Sequence, residues 1–322
     1  MVKVGIIGAG YIGEIHAECY KKIKNAELMA IVDVVDEKRI KLAAKYNVKS
    51  YSSTDDLLKY EDVECVDICV PSFLHSKIFK KVGEAGKHVF CEKPLALTLD
   101  DADEMIDVAK KNKIKAFVGH VLRFFPEYVK AKEIIKKGNL GRPLYGSFNR
   151  LFSIPSQDWA DNEKYGGGVT LDLQIHDLDI MIWIFGKPNI VKSQGLYDKK
   201  TGGFNQVVTT VKFEEGGLGL AETGWAFSKG FPNTMGFRIL CEKGVIEWLR
   251  RKNLEKNDLI VYKSNGSADV LNVEQIDAFL SECQYFIDCI DKNLEIKQST
   301  FEDGRKALEL ALAAVKSAKS EK

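Results

Sequence analysis

Between Val4 and Gly13 the chain reads VGIIGAGYIG, an apolar strand that stops at a glycine-rich turn and immediately begins a helix. No other ten residues restrict the fold as much. Gly8, Gly10 and Gly13 form G-x-G-x-x-G, with Tyr11 and Ile12 between the last two. In such a frame the first glycine permits a tight turn and the second lets the backbone approach a pyrophosphate. The third lets the helix pack closely on the sheet, its first amides facing the phosphates. A glycine triplet can arise by chance, but the segment AIVDVVD strengthens it. Asp33 ends the second expected strand about 20 residues beyond Gly13, where an acid binds adenosine ribose hydroxyls. Val34 and Val35 follow, with no adjacent arginine to receive a 2′-phosphate, which favours NAD over NADP.

The same alternation continues. Strands are expected at Val2–Ile7, Leu28–Val34, Lys49–Tyr51, Cys65–Val70, His88–Cys91 and Ala116–Val118, with amphipathic helices between them. Short apolar strands alternating with helices predict a doubly wound parallel sheet covered on both faces. This Rossmann-type domain is expected over 1–120. From 121 to 322 the order changes: a helix over Tyr128–Lys137, a strand over Leu144–Phe152 and a helix over 171–185 precede six strands without helices between them. Two helices, Val273–Lys292 and Phe301–Ala318, close the chain. The expectation is an α/β protein whose second, α+β domain carries a large open, mostly antiparallel sheet, used for substrate binding and oligomerisation, with the last helix able to pack back on the first domain.

Lys+Arg 47 against Asp+Glu 46 leaves a net charge of +1, so no global field points to nucleic acid or an anionic membrane. The opening strand leaves no room for a leader, and no apolar run reaches the roughly 20 residues of a membrane span. The 7 cysteines include no C-x-x-C pair, which suits reduced core packing better than zinc. A cytoplasmic protein is expected.

Two further stretches carry chemistry. In HVFCEKPLAL, Pro94 stiffens a turn after the fifth strand, so that Glu92 and Lys93 are expected to project from the carboxyl edge of the sheet toward the cofactor. Pro71, Ser72 and His75 occupy the same edge after the fourth strand, with His75 suited to capping or packing. In LDLQIHDLD, Asp172, His176 and Asp179 recur at i, i+4 and i+7 on an otherwise apolar helix. An exposed Asp–His pair contributes only about 0.3–0.5 kcal/mol, whereas an unpaired buried charge costs about 3–5 kcal/mol. Either a satisfied polar network is walled in there, or that face lines a cleft.

These motifs resemble the Gfo/Idh/MocA family of NAD(P)-dependent oxidoreductases. The matching parts are GIIGAGYIG, the EKP turn, RFFPEY, the GGG run and the D-x-x-x-H helix ending WIFG, and the likeness spans the chain. The resemblance implies that Lys93, Asp172 and His176 are catalytic, that the substrate is a carbohydrate or polyol, and that the carboxy-terminal sheet joins subunits into a homodimer or homotetramer. Gln174 departs from the glycine that many members carry two residues before the histidine. On this reading His176 is the general base, Asp172 orients it, Lys93 holds the reacting oxygen, and Asp177 and Asp179 stand behind or make helix contacts. Hydride transfer with a lysine and a histidine calls for no metal. Arg123, Arg150 and Trp159 are candidate substrate contacts that read equally well as packing, and His120 and Tyr165 are weaker ones. The same parts would also serve an NAD-using glycoside hydrolase, which oxidises transiently and releases an aglycone, or a non-catalytic NAD-binding sensor.

Overall fold

The computed structural model describes residues 1–153, 163–199, 202–252 and 257–320. They group into two compact units, Met1–Phe124 with Ile276–Arg305, and Phe125–Gln275 with Lys306–Lys322. In the first unit, β1 (Val2–Ile7), β2 (Ala26–Val32), β3 (Lys49–Tyr51), β4 (Cys65–Ile68), β5 (His88–Glu92) and β6 (Ala116–Gly119) form one parallel sheet in the order β3-β2-β1-β4-β5-β6. Val4, Ile6, Val66 and Ile68 have no exposed surface. Each such side chain contributes about 1.5–3 kcal/mol, which is why these strands read as continuous apolar runs. All strand carboxyl ends share one edge, and the strand order reverses between β1 and β4.

The first unit takes back Ile276–Arg305, a segment the sequence reading placed in the second domain. Its helix Ala278–Asp291 packs on the helix Tyr11–Lys22, and Phe286 meets Phe90 and Phe117 over the sheet. The helix starts at Ala278 rather than Val273 because the Asp277 carboxylate accepts the Phe279 and Leu280 N–H groups and caps it.

The second unit holds β7 (Pro143–Leu151), β8 (Pro188–Asp198), β9 (Gly203–Phe213), β10 (Leu218–Gly224), β11 (Thr234–Cys241), β12 (Gly244–Arg251), β13 (Leu259–Lys263) and β14 (Ala268–Leu271). Their order is β14-β13-β12-β11-β7-β10-β9-β8. Only β7 and β10 run parallel, and every other neighbouring pair is antiparallel. One face carries Phe148, Val211, Phe213, Phe237, Ile246 and Trp248, all buried. Tyr128 of the helix Pro126–Lys137 packs on Phe237 and Trp248, and Phe185 of the helix Ile175–Phe185 packs on Phe213. The unanticipated strand is β14, a short edge without one buried residue and hence without an apolar alternation to read. No described helix is long and apolar enough to cross a membrane.

Candidate active site

The glycine turn is shaped by what surrounds it. Gly8 has φ +111°, and a Cβ there would lie 2.4 Å from the Cys69 carbonyl oxygen. A Cβ on Gly13 would lie 1.9 Å from the Gly8 carbonyl oxygen, whereas the space around Gly10 is open. The protein itself therefore requires the outer glycines, while the middle one leaves the backbone bare to an approaching group. That is the fit a dinucleotide pyrophosphate demands. Tyr11 is exposed and Ile12 half-buried. Asp33, just past β2, accepts the Ala9 N–H at 2.7 Å and the Val35 N–H at 2.8 Å, which fixes its carboxylate beside the turn.

The loops after β4 and β5 reach the same edge. Ser72 is buried at the start of a short turn behind half-buried Pro71. His75 is buried, its Nδ1 2.8 Å from the Pro94 carbonyl oxygen and its Nε2 2.9 Å from that of Val70. Burial lowers its pKa against the pull of those carbonyls. Both nitrogens are thus turned inward, and His75 ties one loop to the other rather than presenting a nitrogen at the edge. Glu92 also differs from expectation. Instead of projecting, it is buried; its Oε2 accepts the Lys93 N–H at 3.1 Å, and its Oε1 lies 3.4 Å from His16 Nε2. Gly119 makes room for it, since a Cβ there would sit 2.8 Å from Glu92 Oε1. Lys93 alone of the E-K-P triplet is half-buried, before a cis Lys93–Pro94 bond.

In the second unit, Gly167 (φ +79°) and Gly168 (φ +68°) turn the chain into the Asp172 segment, and a Cβ on Gly167 would lie 2.5 Å from Leu171 Cβ. Thr170–Gln174 form a widened π turn, with the Ile175 N–H bonded to the Thr170 carbonyl, before the helix Ile175–Phe185. Such i→i+5 turns recur at functional sites. Asp172 and His176 are half-buried, whereas Gln174, Asp177 and Asp179 are buried. Asp179 is thus more deeply buried than Asp172 and His176. The Gln174 Oε1 accepts from the Thr209 hydroxyl at 2.8 Å, so this departure from the glycine pattern is bonded into the sheet.

Arg150 lies 5 % exposed on β7, and its Nε and Nη2 donate to the two Asp177 oxygens at 3.2 and 3.1 Å. Its counter-charge is thus a carboxylate inside the protein. Asp177 accordingly contacts a strand, not another helix. Arg123 is buried with Nη1 donating to Asp303 at 2.8 Å, and His120 is buried. Tyr165 is exposed, and Trp159 lies outside the described residues. Sequence reasoning passed over His16, Asp67 and Glu282, which meet in the interior of the first unit. Their signal was a polar residue on a core position: His16 on the buried stripe with Gly13 and Tyr20, Asp67 inside CVDI, Glu282 between Ala278 and Phe286.

Residues 2–120 match a family model described as oxidoreductase family, NAD-binding Rossmann fold, and residues 132–322 match its C-terminal alpha/beta domain. A myo-inositol 2-dehydrogenase from Thermotoga maritima is 32 % identical, over 98 % of this chain and 96 % of its own length. A scyllo-inositol 2-dehydrogenase (NAD(+)) from Bacillus subtilis is 26 % identical over 98 % and 94 %. The solved structure of a probable dehydrogenase from Thermotoga maritima superposes with a TM-score of 0.84 at 29 % identity, covering 100 % of this chain and 98 % of that one.

Proposed function

This chain belongs to the Gfo/Idh/MocA oxidoreductase family, and from that premise we propose that it is an NAD-dependent dehydrogenase oxidising a secondary hydroxyl of a polyol or sugar derivative. Inositols head the candidates, because the inositol 2-dehydrogenases match along nearly the whole chain. NAD supplies the hydride acceptor. The open backbone at Gly10 holds its pyrophosphate, and the fixed carboxylate of Asp33 accepts from its ribose hydroxyls.

The observation that carries the reading is selective exposure. Among the polar groups of the 172–179 segment, Asp172 and His176 are the two that reach the surface, and Lys93 is the one member of its triplet that does. His176 takes the proton of the reacting hydroxyl, a role that contributes about 10²–10⁴-fold. Asp172, one turn earlier, orients the imidazole. The Lys93 ammonium binds the reacting oxygen and stabilises charge developing there. Reduced cysteines, all seven free, suit the cytoplasm. The partly apolar outer face of the second sheet suits a homodimer or homotetramer.

The test is NADH absorbance with NAD and a panel of inositols, aldoses, sugar acids and nucleotide sugars, with His176→Ala in parallel. A signal that one substrate class gives and the variant lacks supports the reading. Bound NAD with no NADH from any substrate, and release of an aglycone from a glycoside, would replace it with the hydrolase.

A further inference from the structure

Behind the Lys93 turn lies a buried acidic cluster to which the chemistry above gives no task. His16 has no exposed surface. Its Nδ1 is 2.8 Å from Asp67 Oδ2, which also accepts from the Tyr20 hydroxyl at 2.8 Å, while Cys69 Sγ donates to Oδ1 at 3.2 Å. Across the ring, Nε2 lies 3.4 Å from Glu92 Oε1 and 3.9 Å from Glu282 Oε1. Phe90 and Phe279 wall the imidazole at centroid distances of 5.0 and 6.1 Å. Glu282 is the odd member. It is fully buried, and among the described residues neither of its carboxylate oxygens has a hydrogen-bond partner.

Three ionised carboxylates around one imidazolium would leave two uncompensated charges in the interior, and an unpaired buried charge is strongly destabilising. Asp67 is faced by three side chains, His16, Tyr20 and Cys69. Glu92 has the imidazolium and the Lys93 amide. Among the described residues no donor bonds Glu282, so a proton placed there relieves the cluster most. The titration tendencies agree. Burial opposes a charge on His16, but Asp67, Glu92 and Glu282 raise its pKa to about 10. Burial, with Glu92 alongside, pushes Glu282 well above the usual carboxylate range. Burial also raises Glu92, against the pull of His16 and Lys93. The titratable groups that act on Glu282 are Glu92 from β5, His16 and Cys19 from the helix Tyr11–Lys22, and Asp67 from β4, with Cys283 beside it on its own helix.

We propose that Glu282 is a positioning residue for Lys93: held as a neutral acid, it leaves the His16 imidazolium to Glu92, whose carboxylate then fixes the Lys93 backbone. This deepens the reading above and rests on its assignment of Lys93 to the reacting oxygen. Ionisation of Glu282 at high pH sets a second negative charge against the imidazolium beside Glu92, and Glu92 loosens its hold on the turn.

Two readouts test it. In the infrared spectrum, the wild type near neutral pH should show the carbonyl stretch of a protonated carboxylic acid that Glu282→Gln lacks. In kinetics, Glu282→Ala should lower kcat by up to about 10²-fold through misplacement of Lys93. The wild type's kcat should fall at alkaline pH, and Glu282→Gln, a fixed copy of the neutral acid, should restore the kcat lost in Glu282→Ala and remove that fall. A missing infrared band overturns the proposal, as does a Glu282→Gln variant no better than Glu282→Ala. So does a stoichiometric divalent cation in the purified protein that Glu282→Gln loses, because a cation would then neutralise the cluster. An infrared band present while Lys93→Ala keeps full turnover would instead fault the role given to Lys93.

Discussion

Asp172 and Asp177 sit five residues apart on one helical segment and meet opposite environments. The first is half-buried; the second has no exposed surface and takes both arms of Arg150. The D-x-x-x-H spacing made the first legible, because phase along a helix is a property of sequence. The partner of Arg150 was not legible, because it depends on which strand lies under which helix. Glu92 was misplaced for a similar reason: its direction is set by His16 and by the room at Gly119, both remote in sequence. His176→Ala should lower kcat by about 10²–10⁴-fold, and Lys93→Ala should abolish turnover, with NAD affinity by calorimetry largely kept in both. Lost NAD binding in either variant would move that residue to the cofactor. Asp33→Ala should weaken NAD binding and relax the preference against NADP, and an unchanged preference would remove Asp33 from the ribose.

At the scale of elements, the strands and helices of the first sheet followed from periodicity, while β14 and the start of the last-but-one helix depended on an exposed edge and on a cap. Breaking the β7–helix tie by Arg150→Met should destabilise the protein by about 3–5 kcal/mol, since Asp177 is left buried and unpaired. Adding Asp177→Leu should recover much of that loss in denaturant titration, and no recovery would show that packing rather than charge was lost. The helix Tyr11–Lys22 and β4 are joined through His16 and Asp67, which gives the fold a pH signature. His16 is raised from an ordinary 6.5 to about 10. The folded state therefore holds its proton longer than the unfolded chain, so this stabilisation is full below pH 6.5 and is lost as the pH rises through about 10. Glu92 and Glu282, both raised, act with the same sign. Calorimetry should show Tm falling over that alkaline window, less steeply in His16→Gln; a flat profile would contradict the charged imidazole.

For the whole molecule, the second sheet has one face under helices and one largely without them. On the latter, Leu218 is 44 %, Leu240 41 % and Val208 41 % exposed, interleaved with Arg238 and Lys212. Even spacing along paired strands puts these side chains on one side. Leu240→Lys should shift sedimentation toward the monomer; an unchanged sedimentation coefficient would move the subunit contact elsewhere.

The first unit is also assembled out of order in time. Its sheet is complete at β6, yet Phe286, which covers Phe90 and Phe117, belongs to Ile276–Arg305. At about 5–20 residues per second, a ribosome makes Phe125–Gln275 of the second unit before that helix, a delay on the order of ten seconds. During that interval the nascent sheet displays bare phenylalanine rings and a His16 still waiting for Glu282. The earliest part of the chain to take shape is thus among the last to be sealed.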